Sequence, residues 1–462
     1  MFVKHLILLK LNPLQGGIME NLSIKNFVSL KEVNIELSKI NIFIGPQAKG
    51  KSLIAKLISY FKSIPLEVTT AITEGKNKRE LTSNLKIKFE KMFPRYTWEN
   101  CEFSISYKNK FYSVTIENKK NINKNIFSIT CSEEIDKSIK FAKKYLNKLD
   151  ETMSSEPPMG LRFRRIEELR AALTSCLFKD NSNSRIEQIM YIPAGRSFFA
   201  NLQKNVFSFL SSSINIDYFL TEFGSIYEQT KNAQFTKYAQ KGTPPQVNKL
   251  VESLICGKHT TEKGQDWITT EHGRINVANS SSGQQEALPM ALILATWPYV
   301  RTNQICRSFV IEEPEAHLFP FAQGTVVSMI ANSHHASYDS CSHTITTHSP
   351  YILTAMNNLI QSGNAENALR ENSASPDEFK KLYAITPKEE IIYFDEVRAY
   401  IIDNGTATNI LNKELKLIDA NSIDKISNIF SEKFNSLVEM EMISRPTDND
   451  DDIIDFGNDF IL

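Results

Sequence analysis

The chain has 462 residues, 41% of them apolar and 23% charged, and its 53 Lys/Arg balance 53 Asp/Glu. That length and composition provide a sizeable core with two or three subdomains and exclude global disorder. Six cysteines without CxxC spacing predict a reduced compartment and no structural zinc, and Cys256, His259, His334, His335, Cys341 and His343 fit no zinc module.

Residues 1–18 read as an upstream translation or a flexible leader, because Met19 directly precedes a patterned strand. The opening apolar run is too short to cross a bilayer and no later stretch is a candidate, so a cytoplasmic chain with no membrane partner is expected. Strand patterns follow at Asn21–Phe27, Val33–Leu37 and Ile40–Ile44, then a helical pattern from Lys51 to Phe61, within an N-terminal segment 19–68. Residues 69–180 form a basic α+β insert, with 17 Lys/Arg against 8 Asp/Glu between Lys76 and Lys148. Its charge fits either a polyanion surface for DNA or solvated helix faces. Its helical segments Glu133–Met153 and Arg162–Leu177, separated by the loop 153–160, are too short for a long coiled coil. Segment 181–405 resumes with strands at Ile189–Ile192, Ser308–Ile311 and His343–Thr346, and a hairpin region between Tyr393 and Asp403. A helical segment 406–444, with a helix at Ile423–Met442, precedes an acidic tail 445–462 that carries six Asp and one Arg.

Four motifs carry chemistry. Gly45-Pro46-Gln47-Ala48-Lys49-Gly50-Lys51-Ser52 matches G-x-x-x-x-G-K-[ST] between a strand and a helix. Its backbone N–H groups would wrap the phosphates of ATP, Lys51 would reach the β- and γ-phosphates, and the Ser52 hydroxyl would ligate Mg²⁺. An apolar strand then delivers Glu312 and Glu313 at its tip. Glu312 is expected to hold Mg²⁺, directly or through water, and Glu313 to orient and polarise the attacking water. The third motif, Ser282-Gly283-Gln284, opens a helix, where small residues make an anion seat. In the fourth, His348 follows a strand and is in place for a γ-phosphate contact.

Singly, the last three are weak signals. In this order they resemble the ABC-type ATPases, including SMC-like and OLD-like heads. The resemblance implies a bilobal α/β P-loop ATPase head, with Ser282, Gly283 and Gln284 as its signature loop and His348 as its switch histidine. It also implies that the signature loop of one subunit caps ATP held by another, so one copy of each motif predicts at least a dimer, or a larger ring. The family's lobe-linking glutamine has no match in Tyr191–Arg196, which leaves Arg196 as a candidate phosphate or subunit contact.

The segments YIPAGR, SSGQQE, IEEPEAHLFP, THSPYIL and EVRAYIIDNGTATNI resemble AAA-type ABC ATPases of bacterial anti-phage defence, most of all the AriA-type subunits of PARIS systems, with the Septu ATPases and OLD heads as near relatives. That implies a slow ATPase that senses a phage trigger protein, such as a DNA mimic, and holds or releases a separate TOPRIM-type nuclease (AriB-like). The Asp448–Asp455 cluster lies in the tail, not at strand ends, so the chain itself is assigned no nuclease chemistry. Two alternatives stay open: a DNA-acting ATPase of repair or recombination, and a nucleotide-stabilised assembly with little turnover.

Overall fold

A computed structural model describes residues 20–121, 124–152, 159–178, 185–199, 216–232, 242–300, 305–336, 341–419 and 431–440. The expected leader 1–18, most of the loop 153–160, and the tail 445–462 with its acidic cluster lie outside the described residues. The chain divides into two units, Met1–Ile418 and Asp419–Leu462. In the second, residues 431–440 form a helix with Phe434, Leu437 and Met440 exposed; the rest of the expected Ile423–Met442 helix is outside the described residues.

The first unit runs β1 (Glu20–Phe27), β2 (Leu30–Leu37), β3 (Ile40–Ile44), α1 (Lys51–Thr73), α2 (Lys78–Met92), β4 (Phe103–Lys108), β5 (Ser113–Asn121), β6 (Lys124–Cys131), α3 (Glu133–Thr152), α4 (Met159–Phe178) and β7 (Ile186–Ile192). It continues α5 (Tyr218–Lys231), α6 (Pro245–Leu254), β8 (Lys258–Glu262), β9 (Gln265–Thr270), β10 (Gly273–Asn276), α7 (Ser282–Thr296), β11 (Ile305–Glu312), α8 (Pro320–Ala336), β12 (His343–Thr347), α9 (Pro350–Glu371) and α10 (Pro376–Ile385). It closes with β13 (Val397–Asp403), β14 (Thr406–Asn409), β15 (Leu411–Asn412) and β16 (Leu417–Ile418). The expected mixed α/β head is present, and α3 and α4, at 20 residues each, form no long coiled-coil arm among the described residues.

Eleven described strands make one sheet, in the order β6-β5-β4-β1-β2-β14-β13-β3-β12-β11-β7. From β13 to β7 every neighbour is parallel, and from β6 to β2 every neighbour is antiparallel. Period explains the difference. The sequence INIFI of β3 is buried at all five positions, as a parallel strand covered on both faces must be. β1 instead alternates, burying Leu22 and Ile24 and leaving Asn21 and Lys25 exposed.

The basic segment shares this sheet and core. Its strands β4–β6 extend β1, and the position 68/69 falls inside α1. Phe89 of α2 packs on Tyr60 of α1 with ring centroids 5.4 Å apart, and Tyr107 of β4 stacks on Phe61 at 5.3 Å. Position 405/406 falls in the tight turn between β13 and β14, where Gly405 has φ +82°.

Candidate functional site

The neighbouring parallel strands β3, β12 and β11 all end at one edge of the sheet, and each is followed by one of the loops singled out above. Ligands of parallel α/β sheets bind at such carboxyl ends.

The loop after β3 needs its glycines. Gly45 has φ +149°, and a Cβ there would lie 2.3 Å from the Ile402 carbonyl oxygen. Gly50 has φ +101°, and its Cβ would meet Leu30 Cδ2 at 2.6 Å. With Ala48 also left-handed at φ +60°, the chain curls into α1, whose N-cap carries no side-chain hydrogen bond. The first-turn N–H groups therefore face an anion seat. Lys51 is buried, and its Nζ donates to the carbonyls of Gly45 (2.7 Å) and Pro46 (2.8 Å). Burial pushes its pKa down, while the Glu313 and Glu315 carboxylates oppose that shift. Ser52 follows in the first turn of α1, half-buried, and Lys49 Nζ pairs with Asp403 Oδ1 at 3.0 Å on the surface.

At the end of β11, Glu312 is 6% exposed. Its Oε2 accepts the Ala194 N–H at 3.3 Å, and its Oε1 is buried with no hydrogen-bond partner. Burial, together with the Glu312 charge, raises the pKa of the Tyr191 phenol far above its ordinary value. Glu313 is held at φ +43°, a conformation costly for a residue with a side chain and common at functional sites. Its N–H donates to Thr346 O of β12 at 2.9 Å. Its Oε2 stands 3.4 Å from His348 Nε2, so the expected water-polarising carboxylate and the expected switch histidine are neighbours.

Glu315 also belongs here, and the sequence reading did not include it. It is 7% exposed, and its Oε1 accepts the Thr347 hydroxyl (2.7 Å) and the His348 N–H (2.8 Å). The available signal was a third acid, one residue beyond Pro314 in Glu312-Glu313-Pro314-Glu315.

Arg196 is a correction. It presents no charge to a phosphate or a second subunit, because it is wholly buried and its donors are engaged within its own chain. Nε donates to Glu286 O (3.1 Å), Nη1 to Pro193 O (2.9 Å) and Glu312 O (2.8 Å), and Nη2 to Glu313 O (3.1 Å). The Glu286 carboxylate in turn accepts the N–H groups of Arg196 (2.9 Å) and Ser197 (3.0 Å). Arg196 thus ties α7 to the backbone of both acidic residues.

Ser281, not Ser282, caps α7, in a capping box with Gln284. Gln284 Nε2 donates to Ile255 O at 2.7 Å, so that amide is engaged within the chain. Ser282 is exposed, and a Cβ on Gly283 would lie 2.8 Å from His317 O, so glycine lets the signature-like loop approach the loop after β11. No hydrogen bond joins Ser282, Gly283 or Gln284 to residues 45–52 of the same chain.

A family model described as an AAA ATPase domain matches residues 18–353, more than half of the chain and all of these loops. The chain belongs to the AAA ATPase domain family. No curated protein matches it. Among solved structures, this AAA ATPase chain is similar to the SMC head domain from Thermotoga maritima, at 12% identity, 85% of this chain, 98% of that one and TM-score 0.35. It is similar also to an SMC head bound to the C-terminal winged-helix domain of ScpA (13%, 87%, 100%, 0.40). A third is an SMC head with an extended coiled coil bound to the C-terminal domain of ScpA, from Pyrococcus furiosus (12%, 90%, 99%, 0.36). The AAA ATPase domain implies nucleotide binding, and the partnerless buried Glu312 Oε1 is a hard oxygen donor that fits a divalent cation such as Mg²⁺. Among the described residues no helix is long and apolar enough to cross a membrane.

Proposed function

We propose that the chain is an ATP-hydrolysing switch whose site is completed by a second copy of itself, and whose nucleotide state holds or releases a partner effector. The observation that carries the hydrolytic reading is the convergence of Lys51, Glu313 and His348 at the ends of three neighbouring strands. Lys51 would leave the Gly45 and Pro46 carbonyls to neutralise the β- and γ-phosphates. Ser52 and Glu312 would hold Mg²⁺, which supplies charge neutralisation on the phosphate oxygens when bound. Glu313 orients and polarises the attacking water, and His348 stands beside it for the γ-phosphate.

Completion by a second copy is supported by the exposed Ser282 and by the surface next to it. Leu318 lies 3.8 Å from the Cβ position of Gly283, and just beyond it Phe319 and Phe321 are 79% and 81% exposed. The experiment mixes two inactive variants. Lys51→Ala keeps an intact signature loop and Ser282→Arg keeps an intact phosphate loop, so heterodimers carry one wild-type site and ATPase activity returns. A wild-type rate independent of protein concentration, with no recovery in the mixture, would sink the shared site.

For the effector, the motif set supports anti-phage defence, with a TOPRIM-type nuclease held until a phage protein intervenes. A DNA-acting ATPase is the second reading. Its support is a cleft of about 570 Å³ along α2 lined by Lys78, Arg79, Thr82, Ser83 and Lys86. Duplex DNA affinity that falls steeply with salt and is lost in Arg79→Glu/Lys86→Glu would favour this reading.

A further inference from the structure

We propose that Glu315 is the positioning residue of the hydrolytic site: its carboxylate fixes the end of β12 and thereby sets the His348 imidazole against Glu313. The inference rests on the ATPase reading above. His348 needs such a hold. Its side chain is 38% exposed, and its Nε2 lies 3.4 Å from Glu313 Oε2 and 3.9 Å from Glu315 Oε1. With more than a third of the side chain open, its place depends on the backbone that carries it.

Beyond the strand ladder, one oxygen ties that backbone to the acidic loop. Glu315 Oε1 receives both the His348 N–H and the Thr347 hydroxyl. Thr347 Oγ1 in turn accepts the Ser349 N–H at 3.0 Å, and Ser349 caps α9 by accepting the Tyr351 N–H at 3.1 Å while donating to Gln323 Oε1 of α8 at 2.5 Å. Glu315 itself is rigidly presented, since Ala316 N–H donates to Glu313 O (3.0 Å) and Leu318 N–H to Glu315 O (2.9 Å), closing a turn after Pro314. The acidic loop and the histidine loop are therefore tied to each other. A buried carboxylate is costly in a fold that could instead tie two loops by apolar packing. Here it supplies an acceptor for two donors at once, which no apolar side chain provides.

The test uses full-length protein and steady-state ATP hydrolysis, with binding of a fluorescent ATP analogue and thermal melting alongside. Glu315→Ala is expected to lower kcat on the order of a hundredfold, as misplacing a reacting group by about 1 Å does, with KM and analogue affinity within about threefold. Glu315→Gln, whose amide oxygen accepts the same two hydrogen bonds, recovers most of the loss. Thr347→Val, which removes one donor and keeps shape, lowers kcat several-fold at unchanged KM. Glu315→Ala/His348→Ala is no slower than His348→Ala alone. A Gln variant as inactive as the Ala variant would overturn the proposal, because the negative charge itself would then be acting. So would equal losses in affinity and kcat, an unaltered Thr347→Val, or an additive double variant. Lys51→Ala is the separate control: undiminished ATP binding in that variant would overturn the phosphate-site reading, whatever Glu315 does.

Discussion

Arg196→Met tests the buried tie between α7 and the acidic loop. The substitution keeps the length and apolar stem of the side chain but removes a guanidinium that serves four carbonyls, those of Pro193, Glu286, Glu312 and Glu313. It also takes from the Glu286 carboxylate, 2% exposed, the cation whose Nε lies 3.4 Å from its Oε2, leaving it two backbone N–H donors. Breaking a buried pair by removing one partner costs about 3–5 kcal/mol, and orphaned carbonyls push the loss to the upper end. Arg196→Lys keeps the charge, but one ammonium cannot reproduce the fork, so a loss of about 2 kcal/mol is expected. Arg196→Met/Glu286→Gln removes both charges while the amide oxygen still accepts a backbone N–H, and recovers part of the deficit. Urea midpoints at constant m-value read these differences. An Arg196→Met protein within about 1 kcal/mol of wild type, or a double variant no better than the single, would refute the reasoning.

Lys51→Ala removes the charge proposed to meet the β- and γ-phosphates, so nucleotide affinity or turnover is expected to fall at least tenfold in calorimetry and phosphate-release assays. Glu313→Gln keeps the shape of the site but cannot polarise water; ATP is retained and turnover falls on the order of a hundredfold or more, whereas Glu312→Gln instead raises the Mg²⁺ concentration needed for half-maximal rate. Normal turnover in Glu313→Gln with a dead Glu312→Gln would reverse the two roles. Glu396 gives a pH test: burial works against its charge, but His334 and Lys39 hold its pKa down to about 2. Its folded pKa lies below its unfolded one, so its contribution is full above about pH 4.5 and is lost as pH falls towards 2, about 3 kcal/mol in all. Glu396→Gln should flatten the acid limb of a melting-temperature profile by that amount, and an unchanged limb would count against it.

Much of this was legible in the sequence. The strand Ile40–Ile44 and the strand ending at Glu312 announce themselves as short apolar runs and His343–Thr347 as a β-branched one, and the loops after them carry fixed spacings, because phosphate wrapping and water polarisation each demand particular atoms. What local pattern hid was set by partners far along the chain. Arg196 follows a Pro-Ala-Gly turn and reads as an exposed basic residue; only the approach of Glu286 and Glu312, 90 and 116 residues away, turns it into a buried clamp. Glu315 reads as a solvated acid until β12 brings Thr347 beside it. The segment 69–180 reads as an insert because its charge differs, yet the apolar faces of α2 and β4 are what cover Tyr60 and Phe61.

That shared core bears on how nucleotide could act at a distance. Lys62 lies on the same helix as Lys51, about three turns further along. It is 2% exposed and bonds Glu20 of β1 at 2.8 Å and Glu187 of β7 at 3.4 Å. In the sheet order β7 is the terminal strand and six strands separate it from β1, so their meeting on one ammonium requires the sheet to curl around α1. Burial alone would push the Lys62 pKa down, but the two carboxylates raise it above its ordinary value, while burial raises that of Glu187, which also accepts the Ser308 hydroxyl. Replacing such a buried charge cluster by apolar residues is often neutral or stabilising, so strength alone does not account for it. Its geometry does: one helix begins at the glycine loop 45–50 and, three turns on, is pinned to both the antiparallel and the parallel halves of the sheet. A shift of the loop around Lys51 would therefore reach β1 and β7 together through a rigid rod, whereas greasy packing at Lys62 would let either half slide.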